Sequence, residues 1–413
     1  MSAFYTAPFY YPDKEKMSKW PAIACDQYTS QKEYWEAFDA WVGDAPSSLR
    51  LILPEAYLDP ATDTEREISI QETMKRYLRE RIVKAMPEGV VYVRRTTQSG
   101  TRQGLVCTID LEQYDPYGKG QIRPTEATIA ERVPPRVRIR RDAALELAHI
   151  MLFCDDAQMR IADEMREVTK EEEPLYDLEL FRDGGRLEGW LISGETALER
   201  VERAFSEAEK EAKTRNGKDT PFLLVGDGNH SLAAAKAHWE NVKKSGASEN
   251  HPARFATVEI VSIHDPAIHM EPIHRIIYGQ DHETFLKRFI SSAKRLGMNV
   301  KEAEEGLPMI FGEKTVYLQV EGAGERWPVH IVQQTLDEIG KEESLRIDYI
   351  HGDDTLKNLC SQYDAIGFLL PAIDKHSFFK TVELYGAMPR KTFSIGHANE
   401  KRFYMEAKKI IED

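Results

Sequence analysis

The stretch Phe222-Leu-Leu-Val-Gly-Asp-Gly-Asn-His-Ser-Leu-Ala-Ala-Ala-Lys236 constrains this chain more than any other. Phe222 to Val225 is a short apolar run of strand character, Gly226, Asp227 and Gly228 break it, and Ser231 to Trp239 is rich in good helix formers. A strand, a glycine turn and a helix start therefore follow one another. That order sets Asp227, Asn229 and His230 where the first N–H groups of a helix lack partners, a position that stabilises anions such as phosphate. Gly226 and Gly228 let backbone approach a ligand. An ordinary helix cap, with Asp227 or Ser231 bonding the first turn, accounts for the same residues.

The chain has 413 residues, enough for a sizeable core and more than one domain. Its net charge of −14 argues against a general nucleic-acid binder or a polybasic membrane contact. Cys25, Cys107, Cys154 and Cys360 form no C-x-x-C pair, so neither a zinc knuckle nor a redox dithiol is expected. Residues 1–11 show neither a signal peptide nor a membrane span, and a cytoplasmic setting is expected.

Before the central stretch, Pro21 to Ala24 predicts a short strand ending at Cys25-Asp26. Ser30 and Glu33 are spaced as a capping box for a helix carrying Tyr34, Trp35 and Phe38. Asp26 thus falls in a strand-to-helix loop, as a turn residue or as a functional carboxylate. Leu51 to Glu55 predicts another short strand, and residues 62–86 predict a helix with Ile68, Ile70, Met74, Leu78 and Ile82 on its apolar face. Val90–Val93 and Leu105–Ile109 read as a hairpin. Glu126 is flanked by two threonines, and Arg132 to Arg141 carries five arginines on a solvated or a phosphate-facing surface. Leu145 to Phe153 is strongly apolar, and Phe255 to Ser262 is strand-like.

An ordered set of motifs resembles the domain-of-unknown-function family numbered 1015. That family is in turn similar to the ParB and sulfiredoxin superfamily, which includes free-serine kinases. Gly226-Asp-Gly-Asn-His-Ser231 stands for the family's A-D-G-H-H-R, Cys25-Asp26 for P-Y-D, Pro124-Thr-Glu-Ala-Thr128 for R-H-E-x-T, and Pro272-Ile-His-Arg275 for P-T-H-R. Ile347–Gly352, Phe368–Pro371 and Met388-Pro-Arg-Lys-Thr392 match its C-terminal blocks, so the likeness runs from about Pro21 to Phe393. Departures occur at Asn229, Ser231 and Thr125, where the family has His, Arg and His.

The resemblance implies a mixed α/β fold: a ParB/sulfiredoxin-like core with added N-terminal elements over residues 1–280, and a C-terminal α/β subdomain over 281–413 that contributes to the cleft. It further implies a nucleotide-dependent phosphotransferase acting on a small hydroxyl-bearing metabolite, with ATP or ADP and magnesium. Phosphoryl transfer needs cationic or N–H donors on the phosphates and a carboxylate for the acceptor hydroxyl. The expected catalytic set is Asp26, Glu126, Asp227 and His230, with Asp227 and Glu126 as metal ligands. The expected cofactor-binding set is Gly226, Gly228, Asn229, Ser231, His274, Arg275, Arg390 and Lys391. For His230 and His274 a buried imidazole satisfied by a carbonyl remains the competing role. The arginine missing at Ser231 favours an alternative, a non-catalytic nucleotide- or phosphometabolite-binding regulator. Nucleic-acid and membrane partners are not expected.

Overall fold

The computed structural model describes residues 4–59, 61, 63–118, 120–130 and 133–412. The fold is mixed α/β and divides into two compact units, one of residues 1–268 and 396–413 and another of residues 269–395. The sequence placed the division after residue 280. The observed one falls earlier because the Met270–Tyr278 strand pairs within the second unit, with Arg346–His351 and Ile366–Phe368. The terminal segment belongs to the first unit because Ala407–Lys409 pairs with both Phe9–Pro12 and Leu145–Leu147.

The first unit is built on an eight-stranded sheet among the described residues. Its spatial order is Ile122–Pro124, Leu223–Asp227, Ile150–Cys154, Phe255–Ser262, Gly100–Asp110, Val90–Thr97, Arg186–Ile192 and Tyr176–Glu179. Alternation sets its two faces, since successive side chains of a strand point opposite ways. Val90 and Tyr92 join a core with Leu105, Leu152, Val225, Leu232 and Trp239, whereas Val91 and Val93 join another with Val106, Trp20, Trp35 and Met74. Each such fully buried side chain contributes about 1.5–3 kcal/mol.

The expected hairpin, the Phe255–Ser262 strand and the central strand and helix are all present, as Leu223–Asp227 and Asn229–Lys244 for the last pair. The helix expected over 62–86 runs Asp63–Arg79; Ile70, Met74 and Tyr77 are buried, while Ile68 is half-exposed. Thr62 and Arg132 lie outside the described residues. Two other local expectations fail. Leu51 to Glu55 is no strand but lies between 3-10 turns at Ser48–Leu51 and Glu55–Tyr57, because Ser47 Oγ accepts from Leu49 N–H and Pro54 has no N–H for a ladder. The Lys32–Val42 helix starts at Gln31 with no side-chain cap, so the Ser30–Glu33 box is not formed.

The arginine run folds as the helix Val133–Arg141, and its cations are tied internally: Arg136 to Glu55, Arg138 to Glu67 at 2.8 Å, and Arg140 to Glu146. That pairing favours a structural over a phosphate-facing role for those three.

The second unit carries a seven-stranded sheet among the described residues. Phe285 and Phe289 of the His282–Arg295 helix and Val332 and Leu336 of the Pro328–Gly340 helix pack with Met309 and Phe368.

Candidate functional site

The site is assembled where Leu223–Asp227 gives way to Asn229–Lys244. Gly228 is the residue before the helix and has φ of +86°, a left-handed conformation that glycine adopts without strain. A Cβ there would come within 3.2 Å of Ile150 Cα. Gly226 has a different reason: a Cβ would meet the Phe153 ring at 2.7 Å, so this glycine serves packing of the turn on the neighbouring strand. No side chain caps the helix start. Asp227 Oδ1 instead accepts from Gly228 N–H at 2.9 Å, and Ser231 faces elsewhere.

Asp227 Oδ2 accepts from Lys401 Nζ at 3.1 Å, a lysine delivered by the returning C-terminal segment. Burial would raise the Asp227 carboxyl, but the ammonium of Lys401 outweighs it and holds the group below the usual carboxylate range. Asp227 is therefore an anion at neutral pH, with its side chain about a third exposed.

Ser231 Oγ is 2.8 Å from His149 Nε2. His149 sits between the strands Leu145–Leu147 and Ile150–Cys154, edge-on to the Tyr404 ring at 5.2 Å. Burial presses its imidazole below the ordinary range, against the opposing pull of Asp26 and Asp227. The ring is thus largely neutral at pH 7, and its Nδ1 is buried without a protein partner. Tyr404 in turn donates to Cys25 Sγ at 3.1 Å and accepts from Cys25 N–H, which ties the Asp26 loop to the same place. Asp26 Oδ1 accepts from Gln27 Nε2. Asp26 and Asp227, 201 positions apart in sequence, thus both act electrostatically on one histidine.

Glu126 arrives through a parallel strand pair. Pro124 is in register with Val225, and Thr125 Oγ1 donates to Val225 C=O at 2.6 Å, so Glu126 follows at the same sheet end as Asp227. Thr125 is buried and acts as this clamp. His230 Nε2 accepts from Ile129 N–H at 3.2 Å, which holds the loop after Glu126 against the helix start. Asn229 is buried, and its Oδ1 has no protein donor.

The other four expected cofactor residues lie in the second unit. His274 is fully buried, accepts from Leu370 N–H through Nδ1 at 3.0 Å, and pairs with Asp353 through Nε2 at 3.0 Å. That is the role of a satisfied buried imidazole, with a main-chain donor where a carbonyl was expected. Arg275 is also fully buried, and its guanidinium donates to the carbonyls of Arg390 and Lys391 and to Gln333 Oε1. It is a positioning residue for the turn that follows Met388. Lys391 in that turn has φ of +56°, a strained value for a non-glycine residue. The Arg390 and Lys391 side chains are exposed, with Arg390 Nε donating to Tyr349 Oη at 3.0 Å.

Two contributors escaped the sequence reading. His149 and Glu146 were the two polar residues in the apolar run Leu145 to Phe153, a signal that was present. Lys401 lies 174 residues beyond its partner, and nothing local marks it. Among the described residues, no three His, Cys, Asp or Glu side chains gather as a metal-binding group, and no helix is long and apolar enough to cross a membrane.

No functionally curated protein matches the chain in sequence. Among solved structures, a conserved hypothetical protein from Pyrococcus furiosus is 14% identical with a TM-score of 0.37, covering 74% of this chain and 95% of its own. A free serine kinase in complex with AMP is 13% identical with a TM-score of 0.40, covering 74% and 91%. C-terminally truncated SbnI from Staphylococcus aureus is 11% identical with a TM-score of 0.39, covering 73% and 87%. At such scores no residue of one chain can be assigned to a residue of another. The family described as "Protein of unknown function (DUF1015)" matches residues 7–339, most of the chain, and this protein belongs to that family.

Proposed function

We propose that the turn at Asp227–Asn229 is the phosphate-binding centre of a nucleotide-dependent phosphotransferase whose acceptor is a small hydroxyl-bearing metabolite. One observation carries the reading: an uncapped helix start is bordered by the Asp227–Lys401 ion pair and by the neutral His149–Ser231 pair. The buried, unpartnered Asn229 Oδ1 and His149 Nδ1 add polar atoms at or beside that helix start that a ligand can satisfy. In this reading the helix N–H groups and Lys401 hold phosphate oxygens. Asp227 orients the acceptor hydroxyl or takes its proton, and His149 relays a proton with Ser231. Asp26 sets the field at His149.

Magnesium, brought by the nucleotide, would neutralise phosphate charge. It commonly needs only one or two protein carboxylates, and Asp227 and Glu126, at one sheet end, fit that demand.

A regulator that binds a nucleotide or phosphometabolite without turnover is the second reading. It is favoured by Ser231, which is engaged by His149 where the motif otherwise carries an arginine. Calorimetric titration with ATP and ADP, with and without magnesium, followed by ADP release against a panel of small alcohols and hydroxy amino acids, separates the two. Binding with turnover supports the enzyme. Binding with no turnover for any acceptor supports the regulator, and no binding sinks both.

A further inference from the structure

The second unit has a cavity of its own, about 800 Å³ in volume, a size typical of sites for small organic molecules. Leu307, Leu318, Ile331 and Leu370 give it apolar walls, and each is under a tenth exposed because the core beneath holds it. They come from the strands Leu307–Phe311 and Lys314–Glu321, the helix Pro328–Gly340 and the segment after Ile366–Phe368. Pro272, Pro308, Pro328 and Pro371 line it as well. Proline has a locked φ and no N–H, so these walls are rigid, and a ligand meets a preformed surface at little ordering cost.

One carboxylate breaks the apolar lining. Asp353 begins the Asp353–Tyr363 helix and borders the cavity. A buried histidine holds it in place. Leu370 N–H donates to His274 Nδ1 at 3.0 Å, so the neutral imidazole carries its hydrogen on Nε2 and gives it to Asp353 Oδ1, also at 3.0 Å. Burial keeps His274 below its ordinary range, against the pull of Asp353, and the neutral ring is the form present at pH 7. Asp353 Oδ2 has no partner among the described residues, and the side chain is 58% exposed. The described lining contains no Lys, Arg or His. Charged residues next to it in sequence are all acidic: Glu271, Glu305, Glu321 and Asp354. Glu321 is engaged by Lys301, and Asp354 lies 3.8 Å from Lys357. A cation is what this cavity lacks.

We propose that the cavity binds a small organic amine, with its apolar body against the leucine and proline walls and its ammonium group on Asp353 Oδ2. His274 is then a positioning residue for the carboxylate. The ammonium group supplies both hydrogen-bond donors and the missing charge. An alcohol of the same shape fills the space without the charge, and a carboxylate brings a like charge to Asp353. The site lies wholly within the second unit and does not rest on nucleotide binding at Asp227.

Saturation-transfer NMR on the full chain tests the site with phenethylamine, phenethyl alcohol and phenylacetate, which share a ring and differ in the polar end. The amine should bind saturably and about tenfold more tightly than the alcohol, and phenylacetate should not bind. Asp353→Asn should remove the advantage of the amine. Ala372→Trp, at an exposed lining position, should weaken amine and alcohol alike by filling the cavity. Equal binding of amine and alcohol to the wild type overturns the proposal whether or not the variants fold, and so does amine binding that neither variant changes. A chain that sediments as a dimer and binds no probe assigns the cavity to a second copy, which overturns it too.

Discussion

Changing Glu146 to Gln should expose how strongly the C-terminal return depends on one buried carboxylate. Glu146 is 6% exposed and faces Arg140 and Lys408, the latter at 3.3 Å, while Thr257 donates both its N–H at 2.9 Å and its hydroxyl at 2.6 Å. Burial works against the charged form, yet Lys408 and Arg140 prevail and hold the carboxyl at about 2 against an ordinary 4.5. At about 1.4 kcal/mol per tenfold change in proton affinity, the ionised carboxylate stabilises the fold by about 3 kcal/mol. Because the folded value is the lower one, this stabilisation is complete above 4.5 and is lost as pH falls toward 2. Gln keeps an acceptor for Thr257 but leaves Lys408 and Arg140 without their counter-charge. Urea unfolding near pH 7 should therefore show Glu146→Gln less stable by about 3 kcal/mol, and the gap should shrink by more than half by about pH 3. A gap below about 1 kcal/mol at neutrality, or one that ignores pH, would refute the assignment of an ionised Glu146.

The site yields further expectations. Asp227→Asn should abolish turnover, by several orders of magnitude in a coupled ADP assay, while urea stability changes by no more than about 1 kcal/mol because the Lys401 pair is partly exposed; retained turnover removes Asp227 from the chemistry. Ser231→Arg should tighten ADP binding in calorimetry by restoring the motif cation, at the expense of the His149 hydrogen bond, and weaker or unchanged binding argues that no phosphate is held there. Cys25, whose thiol burial drives up to about 12, should resist iodoacetamide near pH 8 when followed by mass spectrometry, whereas rapid labelling would mean that the Cys25–Tyr404 contact opens.

The strand, turn and helix from Phe222 to Trp239 were legible because three local signals agree there: an apolar run, glycines and helix formers. The short strand before Asp26 was legible from its apolar residues, whereas the strand Ile122–Pro124 that carries Glu126 to the sheet was not read. What sequence could not supply is which side chains answer one another. Ser231 reads as a cap by position, yet its hydroxyl goes to His149, because the left-handed Gly228 and the Asp227 bond already settle that turn. Arg275 reads as a phosphate clamp beside His274, yet its burial turns it onto main-chain carbonyls. Lys401 reaches Asp227 only because the chain comes back, and no short window of sequence contains both members of that pair.

The route of that return has a consequence for biosynthesis and for engineering. Residues 269–395 interrupt the first unit, and their ends are neighbours, since Met270 pairs with Ile395. During synthesis the first unit must wait, its Phe9–Pro12 and Leu145–Leu147 strands lacking the partner between them until Ala407–Lys409 leaves the ribosome. A chain cut short anywhere between Ile268 and Ala407 would keep that gap open. Conversely, two adjacent ends make the interrupting segment a removable cassette, which a short turn can replace without dragging the flanking strands apart.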